Sequence, residues 1–173
     1  MKYEDVSWHS GAEDFPRELS AAAGGTHTGM FVAWALLGGL GSEESFGDIA
    51  SLKARSTTPG RFFYDRCDGK FVDEELNEEG NAFTRVYFDP ENGRYLHDYS
   101  EVLGEDLASA YHVADTWANF DRLNPLILSE SRGNGKVLVL DGAIRRHRIV
   151  FSHRDDGIGL ADLPAVDILR RRG

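Results

Sequence analysis

One cysteine, Cys67, in 173 residues leaves no partner for an internal disulfide and argues against a cysteine-based zinc site. That usage fits a reducing compartment. Long apolar runs are also missing. The longest, over residues 29–40, falls short of the roughly 20 residues that span a bilayer. The opening MKYEDVSWHS has no apolar segment of the secretory-signal kind. A soluble, cytoplasmic protein with no membrane partner is therefore expected. Basic residues are scarce, with 19 Lys+Arg against 29 Asp+Glu and a net charge of −10, which disfavours binding to a phosphate backbone. The chain shows no internal repeat, no glycine-rich phosphate loop, no His-Glu-x-x-His and no histidine pair four residues apart.

What is present describes a folded globule. Hydrophobic residues make up 41% and include 10 Phe, enough for one domain with a real core. Charge is unevenly spread. Residues 1–128 carry 23 Asp+Glu against 10 Lys+Arg, whereas 129–173 carry 9 Lys+Arg against 6 Asp+Glu. The division predicts an acidic helical domain over 1–128 and a basic C-terminal extension over 129–173.

Along the chain, residues 1–24 read as an irregular arm with one helical turn. Thr26 reads as the N-cap of a helix over 26–40, apolar nearly all round and so buried at the centre of the fold. Gly38, Gly39 and Gly41 end it. A short amphipathic helix is expected over 45–54. Thr58-Pro59 is a helix start, with Pro at the first helical position. A helix from Val72–Asp73 would turn Leu76, Gly80, Phe83 and Tyr87 inward. Asp89-Pro90 to Asn92-Gly93 marks a turn. Helices over 95–103 and 107–123 follow, the latter with Val113, Trp117 and Phe120 inward. Beyond Pro125, two β-branched runs around Asp141-Gly142 predict a β-hairpin over 136–151. The fold class is mainly α, packed around a buried central helix.

The strings YEDVSWHSG (3–11), THTGMFVAWALLGGL (26–40), TPGRFFYDRCDGKFVDEELNEEGNAF (58–83), YLHDYSEVLG (95–104) and YHVADTWANFDRL (111–123) resemble an uncharacterised bacterial domain family, DUF7832. The similarity spans roughly residues 2–125. It implies a small, soluble, mainly helical bacterial protein and supplies no catalytic residues. Family members continue their last helix past the proline and stop. Here LILSESRGNGKV and a basic tail follow, so residues 129–173 are either a genuine extension or an accidental sequence from an altered frame.

Several polar groups could carry chemistry. His112, Asp115, Thr116 and Asn119 would share one helix face, where His112 beside Asp115 suits an oriented base or an ordinary surface pair. Trp8 and His9 lie in the N-terminal arm, and His27 at a helix start, where the dipole lowers imidazole basicity. His9, His27 and His112 would make a metal site only if the fold gathered them. No local motif supports that, so neither a metal nor a cofactor is expected. Asp73, Asn77 and Asn81 form a stripe that reads as a binding face or a solvated one. Trp117 and Asn119 complete the binding candidates. Asp65-x-x-Asp68-Gly69 fails as a calcium loop, because Tyr64 and Arg66 fall where ligands belong. Cys67 has no neighbouring base. The Arg145–Arg148 cluster reads as charge protecting an edge strand.

Two functions follow. The first is a small acidic interaction protein that masks a basic partner, in the manner of immunity proteins. The alternative is an enzyme or small-ligand pocket protein using the His/Asp/Trp residues. The sequence leans away from an enzyme and leaves oligomeric state open.

Overall fold

The computed structural model describes residues 1–45 and 49–133. It is mainly helical. In chain order it holds β1 (Lys2–Asp5), α1 (Val6–Ser10), α2 (Thr26–Leu37), α3 (Ala50–Lys53), α4 (Pro59–Cys67), β2 (Lys70–Val72), α5 (Glu78–Tyr87), α6 (Tyr95–Leu103) and α7 (Trp117–Gly133). Among the described residues no helix is long and apolar enough to cross a membrane.

Helix α2 is the axis of the fold. Every residue from Thr26 to Leu36 is buried, as an all-round apolar helix must be. Phe31 sits at its middle, with Phe71, Phe88 and Tyr95 packed around it at ring-centroid distances of 5.9, 4.8 and 5.1 Å. Burying a large side chain of this kind contributes about 1.5–3 kcal/mol. Helix α4 lies directly against α2. A Cβ on Gly29 would stand 2.4 Å from the Gly60 Cα, so only a glycine there lets the two backbones come so close.

The N-terminal arm is more ordered than its sequence suggests. Lys2–Asp5 pairs antiparallel with Lys70–Val72, with an irregularity in register between Lys2 and Glu4. A regular strand would alternate its side chains in and out. Here Tyr3, Glu4 and Asp5 are all buried, as an interrupted register permits. Asp5 then caps α1 by accepting the Ser7 N–H.

Other boundaries shift for identifiable reasons. Thr26 is the first residue of α2 rather than its cap. The cap position is Gly25, which closes a 3-10 turn over Ala21–Gly25. The helix expected from Val72–Asp73 is divided into strand β2, a 3-10 turn at Asp73–Glu75 and α5, because Asn77 caps α5 by accepting the Gly80 N–H. Leu76, Gly80, Phe83 and Tyr87 are all buried as expected. Helix α7 begins at Trp117 because Thr116 Oγ1 accepts the Asn119 N–H. Residues 107–116 are therefore not part of it. It also passes through Pro125 and ends at Gly133. A proline there removes one intrahelical donor, and buried Phe120, Leu123 and Ile127 hold this helix on the core. The expected hairpin over 136–151, and Phe46 of the helix expected over 45–54, lie outside the described residues.

Candidate functional site

The most unusual polar group is a cluster of three side chains from three elements: Glu4 on β1, His9 on α1 and His27 in the first turn of α2. Glu4 is buried and faces both imidazoles. Its Oε2 lies 3.2 Å from His9 Nε2 and 3.7 Å from His27 Nε2. Its other oxygen, Oε1, accepts the Asp5 N–H at 2.9 Å. The two imidazole rings meet edge to face at 4.8 Å.

Local structure explains the convergence. The interrupted register of β1 leaves Glu4 buried, and the Asp5 cap turns the chain at once into α1, which carries His9. Gly24 and Gly25 then bring the α2 entrance against α1. A Cβ on Gly24 would lie 3.1 Å from His9 Cβ, and one on Gly25 would lie 2.6 Å from Val6 Cγ2. The Tyr95 hydroxyl fixes the start of α2 by donating to the His27 carbonyl at 2.6 Å. His9 is held from outside, its Nδ1 standing 3.0 Å from the Tyr111 hydroxyl.

The electrostatics are uneven. Burial by itself would raise the Glu4 carboxyl, but the two imidazoles and the Asp5 N–H overcome it and hold the carboxyl down at about 2. Burial lowers the His27 imidazole below its ordinary value, against the opposing pull of Glu4. The centre therefore holds an ionised carboxylate and a neutral His27 at neutral pH. His27 is only 5% exposed. Among the described residues neither His9 Nε2 nor His27 Nε2 has a hydrogen-bond partner, although both are buried. Their approach to Glu4 is an ion-pair distance without hydrogen-bond geometry. Buried polar atoms are nearly always satisfied, so two orphans facing one carboxylate oxygen call for an explanation.

The other sequence candidates go elsewhere. His112 lies in a 3-10 turn, Ala110–His112, bonded through Nδ1 to Ser109 Oγ at 2.9 Å and facing Glu18 through Nε2 at 3.3 Å. Asp115 is not beside it. Asp115 instead caps α4 from a distance, accepting the Gly60 and Arg61 N–H groups at 2.8 and 2.9 Å and the Thr58 hydroxyl. Asn119 donates to the Ala114 carbonyl at 2.9 Å. The shared face of His112, Asp115, Thr116 and Asn119 does not exist, because the helix starts after three of them. Asp73, Asn77 and Asn81 do not form a helical stripe. Asp73 pairs with the Met1 ammonium, Asn77 donates to the Gly39 carbonyl, and Asn81 accepts the Tyr3 hydroxyl. Trp117 donates to the Thr57 carbonyl under the Arg55 guanidinium, which also grips Asp121. Trp8, 56% exposed, carries Lys2 Nζ over its ring at 5.4 Å.

His9 and His27 were legible as candidates. Glu4 and Tyr111 were not, and no spacing in the sequence signals them. A cleft of about 390 Å³ is formed by residues that follow His9 in the chain, and none of Glu4, His9, His27 and Tyr111 lines it. It is lined by Ser10, which follows His9, and by Phe15, whose ring packs 5.0 Å from Tyr111. Residues 2–113 match the model of a domain family of unknown function, DUF7832, and Glu4, His9, His27 and Tyr111 all fall inside that match. No curated protein and no solved structure matches the chain.

Proposed function

We propose that this chain, which belongs to the DUF7832 family, acts through Glu4, His9 and His27 as a small-ligand-binding domain of the kind that can support catalysis. One observation carries the proposal: two buried imidazole nitrogens, neither with a hydrogen-bond partner among the described residues, converge on a single carboxylate oxygen. A cluster kept only for stability would satisfy its polar atoms, since an unsatisfied buried group costs about 1–3 kcal/mol. Such a cost persists where function needs the group.

The test is His27→Phe. Phenylalanine keeps a ring against Phe88 and Tyr99 and removes the orphan nitrogen. Loss of the Glu4 contact and relief of the buried nitrogen offset each other, so stability stays within about 1 kcal/mol of wild type. A loss of about 3 kcal/mol or more in chemical denaturation means that the cluster is scaffolding.

A basic protein partner is the second reading, favoured by the excess of acid over residues 1–128. It requires salt-sensitive, stoichiometric association. Copurification at low ionic strength that recovers no basic protein counts against it.

A further inference from the structure

We propose that Glu4, His9 and His27 bind one divalent first-row transition-metal ion of the zinc or ferrous class, through Glu4 Oε2 and the two histidine Nε2 atoms. The inference rests on the ligand-site reading above and names its occupant.

Geometry comes first. Ligand atoms sharing one ion at about 2.0–2.2 Å stand roughly 3–3.6 Å apart. The two contacts to Glu4 Oε2 are 3.2 and 3.7 Å, and the three donor atoms lie within 4.8 Å of one another. Small side-chain adjustments close the set around an ion. The orphan nitrogens then have their partner, an electron-pair acceptor rather than a hydrogen-bond donor. The surroundings agree. His9 Nδ1 faces the Tyr111 hydroxyl at 3.0 Å, so that edge of the ring is held from outside and Nε2 is the atom turned toward Glu4.

The donor set selects the ion. Two imidazoles and one carboxylate, with no thiolate, suit zinc and ferrous iron better than calcium or magnesium, which prefer all-oxygen cages. Three protein ligands also leave coordination positions open, as in reactive rather than purely structural sites. A second trio, His97, Asp98 and Glu101, brings its atoms equally close. It differs in chemistry. Asp98, its buried member, is already engaged by Tyr87 and Arg94, and the other two are exposed. It serves as the internal control.

The experiment titrates chelator-treated full-length protein with Co²⁺ and Zn²⁺, followed by calorimetry and, for Co²⁺, visible absorption. One ion per chain is expected. His9→Ala and His27→Phe weaken binding by about 100-fold or more, Tyr111→Phe weakens it by about 10-fold, and His97→Ala leaves it unchanged. His9 is the more exposed of the two ligand histidines, so its variant reports on binding even where His27→Phe fails to fold. Absence of uptake by the wild type overturns the proposal, as does uptake that His9→Ala leaves intact. If no ion binds and His27→Phe melts as the wild type does, the metal assignment falls while the ligand-site reading stands. If no ion binds and His27→Phe is strongly destabilised, both fall.

Discussion

Replacing Asp115 by alanine separates structure from catalysis at the residue whose sequence most invites a catalytic role. Its carboxylate accepts the first free N–H groups of α4, from Gly60 and Arg61, and the Thr58 hydroxyl. A lost N-cap costs about 0.5–2 kcal/mol, and bonds to a charged acceptor contribute about 1.5–3 kcal/mol each. Arg61 is exposed and water can reach its N–H, so these contributions do not add in full. A net loss of about 2–3 kcal/mol follows. For a chain of this size each kcal/mol moves Tm by about 2–4 °C, so Asp115→Ala melts about 4–12 °C lower. Asp115→Asn keeps an acceptor oxygen and loses about 1 kcal/mol. Calorimetry measures both, with Thr58→Ala as the second edge of a double-mutant cycle. The Asp115→Ala and Thr58→Ala costs should be non-additive, since they share one bond. A Tm unchanged by Asp115→Ala refutes the capping argument. So does loss of Co²⁺ binding in a variant that still folds.

Other consequences are equally direct. Gly29→Ala forces a Cβ into the Gly60 backbone and should destabilise by about 3 kcal/mol or more, read by urea denaturation, whereas Gly39→Ala meets no atom of the described residues within 4 Å and costs about 1–2 kcal/mol for its positive φ. Burial pushes the Cys67 thiol up to about 12, so Cys67 stays unreactive toward a thiol reagent at pH 8 until denaturant is added. Immediate labelling of the native protein contradicts its placement. Burial raises Tyr87, Tyr95 and Tyr99 above the ordinary phenol value, and Asp98 reinforces the shift at Tyr87. Their folded-state pKa lies above the unfolded one, so their contribution to stability is complete below about pH 10 and is lost as pH rises beyond it. Absorbance at phenolate wavelengths should show these tyrosines ionising together with unfolding, and reversible titration of all six tyrosines in folded protein contradicts that.

The legible parts of the fold share one property: their signals are local. The all-round apolar run after Thr26, the Thr58-Pro59 start and the stretch from Tyr95 to Leu103 each specify a helix by their own residues, and the structure has all three. The strand Lys2–Asp5 has no such signal. Its KYED neither alternates nor branches, and it exists because residues 70–72 pair with it. The centre of Glu4, His9 and His27 is less legible still. His9 and His27 stood out as types, but Glu4 joins them only once β1 turns into α1, and Tyr111 arrives from the far side of the chain. The expected face of His112, Asp115, Thr116 and Asn119 fails for a local reason that spacing hides. Thr116 caps α7, so His112 and Asp115 precede the helix and serve other elements.

The central claim is that Glu4 Oε2 and the two Nε2 atoms facing it bind one divalent ion. Imidazole ¹⁵N spectra of the full-length protein, recorded without and with one equivalent of Zn²⁺, test it most directly. The account predicts that the Nε2 resonances of His9 and His27 move to metal-bound positions together, while those of His97 and His112 stay where they are. Zinc that leaves His9 and His27 unmoved, or that shifts only His97 or His112, contradicts it.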